Sequence, residues 1–228
     1  MAGISPPVSE GLVKETLADK LRSEIIGGAL KPGMRIVEAK WAAKFEVAQA
    51  SIREAINILA QAGFVSKTPG RSARVVHLTE SDVTQIYQLR GAIEGLAARL
   101  AASSRPNLSI LQVNLDAMRN AATVGNSDAL LDCDLLFHLN LCELSGNPYV
   151  MAHARRILLP FFAFVRMRVA ASGGETSAWD QDLESHQRII DLVREGEAEV
   201  AEQYVKKAME RFAKTARGNW ERRAPDES

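Results

Sequence analysis

The stretch from Trp41 to Val65, WAAKFEVAQASIREAINILAQAGFV, constrains the fold more than any other part of the chain. Trp41, Ala42 and Phe45 mark one apolar stripe, and Ile52, Ala55, Ile56 and Leu59 mark a second at i, i+3, i+4 and i+7. That is the period of a helix with one buried face. Only a few residues around Val47 are left to connect the two stripes. Two short amphipathic helices joined by so tight a turn predict a helix-turn-helix, whose second helix can lie in a DNA major groove.

The flanking segments complete a module. From Glu10 to Ile26 the positions of Leu12, Leu17, Leu21, Ile25 and Ile26 are spaced for a helix, and Gly27-Gly28 are placed to end it. LKPGMRI reads as a turn, with Pro32-Gly33 as its punctuation. After the helix pair, FVSKT and ARVVHL are short extended runs separated by PGRS, which predicts a β-hairpin with Gly70 and Arg71 at its tip. Thr79 and Asp82 then have the spacing of a capping box. From there to about Trp220 the pattern is helical throughout, with turn residues near 103–108, 124–127, 145–148, 172–177 and Gly196. The expected fold is mainly α: an N-terminal winged helix-turn-helix with a small β-hairpin wing over 9–78, and a C-terminal all-α bundle of six or seven helices over 79–220.

The chain's 228 residues suffice for two such domains, each with its own core. No run of about 18 apolar residues occurs, so no membrane span is expected. The opening MAGISPPVSEG lacks the basic-then-apolar build of a secretion signal. Cys133 and Cys142 sit within helical patterning, which suits reduced thiols in a cytoplasmic protein. The net charge is zero but uneven: residues 31–78 carry eight basic and three acidic side chains, a net of +5, which leaves −5 elsewhere. A basic module joined to an acidic one fits nucleic-acid binding by the first alone.

Together these segments resemble the GntR family of bacterial transcription regulators, in its FadR-like branch with a helical FCD-type effector domain. The likeness runs over about residues 10–215. It rests on IIGGALKPG, on IREAINILAQAGFV, on LRGAIEGLAARLAA, on DLLFHLNLCELSGNPY and on ESHQRIIDLVREGEAEVA. The resemblance implies a homodimer on a pseudo-palindromic double-stranded operator, a small carboxylate effector and release of DNA when the effector binds.

Arg53 is the leading candidate for reading DNA, because arginine contacts guanine O6 and N7 bidentately. A pair with Glu54 or Glu24 is the competing role. Gln49, Ala50 and Ser51 share the first turn of the same helix. Ala48 stands where the family has a Ser/Thr cap, and Gln49 where it has an arginine; glutamine pairs better with adenine, unless it only touches phosphate. Arg35, Lys40 and Lys44 are candidate phosphate contacts, and Gly70 with Arg71 suit a wing reaching the minor groove.

In the second domain, Asp134 and His138 are spaced i, i+4 on one helix face. By resemblance they belong to a metal set with His186, of the kind suited to zinc, nickel or a similar divalent transition ion. The family's fourth ligand, a histidine, falls at Ala208, which implies weaker metal binding or none. Arg90 lies in the position of an effector-pocket residue, where its fork suits a carboxylate; a salt bridge with Glu94 is the alternative. The expected function is thus an effector-controlled DNA-binding regulator, a repressor by family habit. The competing functions are a metal-free regulator of an acyl or other organic acid, and a metalloenzyme using two histidines and one carboxylate.

Overall fold

The computed structural model describes residues 10–68, 72–171 and 179–221, with side chains over 15–68, 72–171 and 182–216. The chain divides after His77 into two compact units.

The first unit is built from α1 (Glu10–Ile26), α2 (Glu38–Phe45), α3 (Gln49–Gln61) and strands β1 (Val65–Ser66) and β2 (Arg74–Val75). Its core is the stripe read from the sequence: Leu17, Leu21 and Ile25 of α1 meet Trp41 of α2 and Ile52, Ile56 and Leu59 of α3, all buried. Helix α2 stops because Glu46 takes a left-handed conformation (φ 54°), and the N–H of Val47 turns back to the Ala42 carbonyl. Ala48 caps α3 with extended backbone and no side-chain hydrogen bond. The β1 and β2 strands pair antiparallel, with Val65 opposite Val75. Arg35 adds a bridge on the far side of β2 at Arg74, so the segment read only as a turn also extends the wing by backbone pairing. The wing tip, with Gly70 and Arg71, lies outside the described residues.

The second unit holds α4 (Glu80–Ser104), α5 (Ser109–Thr123), α6 (Ser127–Leu144), α7 (Pro148–Ala171), α8 (Trp179–Glu195) and α9 (Ala198–Glu221). Thr79 starts α4 with both halves of a capping box: its hydroxyl accepts from the Asp82 N–H at 3.1 Å, and Asp82 accepts from the Thr79 N–H at 2.8 Å. Helix α4 is central, packing on α6, α7, α8 and most extensively α9. Glycines permit that last contact: a Cβ on Gly95 would lie 3.2 Å from the Glu202 carbonyl, and one on Gly91 3.5 Å from Met209 Cβ. Leu111, Leu115, Phe137, Leu141, Leu158, Ile190, Val193 and Val205 fill the core. No helix among the described residues is long and apolar enough to cross a membrane.

Candidate functional site

Two sets of residues stand out, one in each unit. On the first, α3 displays Gln49, Ala50 and Arg53 to solvent, with Ser51 half-buried in the same turn. The partner of Arg53 is Glu38, on the first turn of α2, rather than Glu54 or Glu24. Its Nη2 donates to Glu38 Oε2 at 2.9 Å, and its Nε lies 3.2 and 3.3 Å from the two carboxylate oxygens. Gln49 Nε2 reaches the same carboxylate at 3.4 Å. The hydrogen bond from Arg53 lowers the Glu38 pKa from its ordinary value and raises that of the guanidinium.

The other candidates on this unit divide. Arg35 and Lys40 are exposed. Lys44 is engaged at home, 2.6 Å from Glu24 and over the Trp41 ring at 4.5 Å. Sequence reasoning missed Asn57, one turn beyond Arg53, whose side chain accepts from Lys67 at 2.6 Å and donates to Glu54 at 3.4 Å. The i+4 step from Arg53 was the available signal. It also missed Arg74, which donates to the Gly33 carbonyl at 2.9 Å and belongs to the same exposed basic surface.

In the second unit a series of close polar contacts, mostly buried, runs through α4, α6 and α8. Arg90 and Glu94 are 4% and 1% exposed, and Arg90 Nε donates to Glu94 Oε1 at 2.7 Å. The competing salt bridge therefore exists, but it uses one edge of the guanidinium only. Among the described residues, the two terminal nitrogens of Arg90 make no hydrogen bond. Tyr87, Phe161 and Phe162 wall the guanidinium, with ring centroids 5.0 to 5.5 Å from it. Glu94 Oε2 stands 2.5 Å from His138 Nδ1, misaligned for a hydrogen bond, so both atoms are buried without one. His138 Nε2 lies 3.1 Å from Asp134 Oδ1, and His186 Nε2 lies 3.0 Å from the same oxygen.

The donor chemistry of this cluster calls for a cation. His186 Nδ1 is 2.6 Å from the Asp182 carbonyl, which only accepts, so Nδ1 carries a proton. In the neutral ring the lone pair is then on Nε2, facing a carboxylate oxygen. His138 likewise has a carboxylate at each nitrogen. Protons on the rings, or one metal ion among the three ligands, reconcile the lone pairs. One ligand atom each from Asp134, His138 and His186 lies within 4.8 Å of the others, and a histidine backed by a carboxylate or carbonyl is the usual support for a metal ligand. The residues present therefore fit a divalent transition ion. Ala208, 1% exposed, brings only a methyl group.

Charge follows from the same geometry. Burial opposes the charged forms throughout, and the partners overcome it. The Arg90 and His138 cations hold Glu94 down at about 2, hydrogen bonds from both histidines pull Asp134 well below the carboxylate range, and Glu94 lifts His138 to about 9. Asp182, where burial and the Asp134 charge act together, rises to about 7. Sequence reasoning did not find Asp182, because its contribution to His186 comes from the backbone.

Comparison with known proteins bears on both sites. The FCD domain family matches residues 85–211, and the bacterial regulatory proteins of the gntR family match residues 13–75. The chain belongs to the GntR family. This GntR protein is 27% identical over 199 residues to a probable D-xylose utilization operon transcriptional repressor of Paenarthrobacter nicotinovorans, covering 85% of this chain and 86% of that one. It is 26% identical to a gluconate operon transcriptional repressor of Bacillus licheniformis, covering 78% and 74%. Its fold matches a GntR regulator of Rhodococcus sp. RHA1 with a TM-score of 0.69 at 23% identity, covering 90% and 97%. McbR/YncC of Escherichia coli matches with a TM-score of 0.69 at 17% identity, covering 91% and 98%. The GntR protein is a DNA-binding transcriptional regulator, and its family and relatives are regulators, not enzymes.

Proposed function

We propose that this regulator binds a pseudo-palindromic operator as a homodimer and that a small carboxylic acid in the second unit controls the binding. The observation that carries the reading is the run of close polar contacts from Arg90 through Glu94 and His138 to Asp134 and His186, buried except at Asp134, which is partly exposed. It supports an anion site at the free edge of Arg90 beside a metal held by Asp134, His138 and His186. When bound, the metal supplies a Lewis-acidic point with open positions for a carboxylate oxygen. Arg90 adds planar N–H donors in a fixed fork. A relative named for a gluconate operon supports a sugar acid as the class of effector. Control of DNA binding then requires that the acid bind two arrangements of the protein with different affinity.

On the DNA side, Arg53 contacts a base, Gln49 a neighbouring base or phosphate, and Ala50 and Ser51 pack close to the groove. Arg35 and Lys40 approach phosphates; Lys44 does so only after release from Glu24; Gly70 and Arg71, outside the described residues, are read as minor-groove contacts from the sequence alone. A metal-free organic-acid regulator is the second reading, favoured by the methyl group at Ala208.

A thermal-shift screen of the full chain against carboxylic and sugar acids, with and without a chelator, separates the two. Ligand binding to the native state raises the midpoint by mass action. A stabilising acid whose effect vanishes with chelator, and with Arg90→Lys, supports the metal-assisted site. A shift that survives chelation removes the metal from the reading.

A further inference from the structure

Glu38 is the residue of the first unit that the proposed function leaves unexplained. A carboxylate beside a DNA-reading surface repels phosphate, yet Glu38 sits against the two side chains best placed to read bases. Its hydrogen bonds to Arg53 occupy one edge of the guanidinium, formed by Nε and one hydrogen of Nη2. The opposite edge, Nη1 with the second hydrogen of Nη2, has no partner among the described residues. That edge is two parallel N–H donors, the pattern that guanine O6 and N7 accept. A free arginine side chain samples many rotamers, which must be frozen on binding. Here the freezing is already done, on a side chain that remains 54% exposed. Gln49 shares the carboxylate, so one acceptor on α2 orders two successive turns of α3. The uncapped start of α3 at Ala48 offers no substitute for this support.

We infer that Glu38 is a positioning residue for sequence recognition: it holds the Arg53 fork with its outer edge turned to a guanine and thereby fixes the base preference of α3. The inference rests on the reading of Arg53 as a base contact. Glu38 itself touches no base. It lowers non-specific affinity through its charge and raises specific affinity through Arg53, so it widens the gap between the two.

The test is selection of duplexes from a randomised DNA library by the full chain as wild type, Arg53→Ala, Glu38→Ala and Glu38→Gln. Anisotropy titrations at one salt concentration then compare the selected duplex with a scrambled duplex of equal length. The wild type is expected to return a guanine that Arg53→Ala no longer selects. Glu38→Ala is expected to lose the same guanine and to lower the specific-to-scrambled ratio about tenfold, the scale of one good bidentate contact. It should bind the scrambled duplex at least as tightly as the wild type. Glu38→Gln, with similar volume and one remaining acceptor, should fall between. A Glu38→Ala protein that keeps the guanine with its ratio within twofold overturns the inference. So does equal tightening on both duplexes, which reduces Glu38 to a repulsive charge. Selection of the wild-type motif by Arg53→Ala would instead sink the reading of Arg53, and this inference with it.

Discussion

Replacing Glu94 by glutamine isolates the charge in the buried chain. The amide keeps the shape and an oxygen to accept from Arg90 Nε, so the perturbation is the loss of one negative charge. Arg90 and Glu94 are 4% and 1% exposed, and the Glu94 carboxylate faces a second cation in His138. A unit pair at about 4 Å is worth about 4 kcal/mol at an effective dielectric of 20. Removal of Glu94 also removes its own desolvation cost, but it strands a buried guanidinium. Breaking one side of a buried pair costs about 3–5 kcal/mol in general. For a unit of this size each kcal/mol moves the melting temperature by about 2–4 °C, so the expected fall is about 6–20 °C. Calorimetry in chelator, resolving the transition of the second unit, is the assay. Asp116→Asn is the control, since the Asp116–Arg119 pair is 56% and 44% exposed and an exposed pair is worth about 0–1 kcal/mol. A Glu94→Gln loss below about 1 kcal/mol, or one equal to that of the control, refutes the claim that burial makes this charge necessary.

Other expectations follow from single contacts. Gly196 has φ +81°, and a Cβ there would lie 2.6 Å from the Arg105 guanidinium, so Gly196→Ala should cost about 1–2 kcal/mol in urea unfolding even if the arginine swings away. Ala208→His should tighten zinc binding about tenfold or more by calorimetric titration, while inserting the ring into a packed position lowers metal-free stability by about 1–3 kcal/mol; unchanged affinity would mean that position 208 does not face the ligands. The lowered pKa of Glu38 gives a contribution to stability that is present above the ordinary glutamate value of about 4.3 and is lost as pH falls through the lower folded value. Wild type and Glu38→Gln should therefore converge in acid and diverge at neutral pH. Burial pushes the Cys142 thiol up strongly and the half-buried Cys133 thiol less, so a thiol reagent at about pH 8 should label Cys133 first and Cys142 only on unfolding.

Much of the fold is legible in the order of the residues alone. A helix repeats its burial every 3.6 residues, so Ile52, Ile56 and Leu59 announce α3, and the Thr79–Asp82 spacing announces the start of α4. Asp134 and His138 are readable for the same reason, being one turn apart. What escapes is contact between elements. Nothing in local spacing ties Glu38 to Arg53 across a turn, or Glu94 to His138 across two intervening helix boundaries. The Arg35–Arg74 bridge is made by backbone atoms, and two arginines give no cross-strand signal for it. Spacing leaves Arg90 as either a clamp or a salt-bridge partner, whereas the guanidinium has edges enough for both.

The His186 proton is directed by a carbonyl, the one acceptor that every amino acid carries. Any residue at position 182 preserves it. The tautomer that readies His186 is therefore indifferent to the side chain at 182, whose carboxyl group is half-buried near Asp134. Descendants of this chain that keep the helix are free to exchange that group for a neutral or basic one without moving the carbonyl that faces His186. The ligand geometry would pass through such changes intact. One position thus separates a backbone contribution, held by a carbonyl, from a side chain that is free to vary.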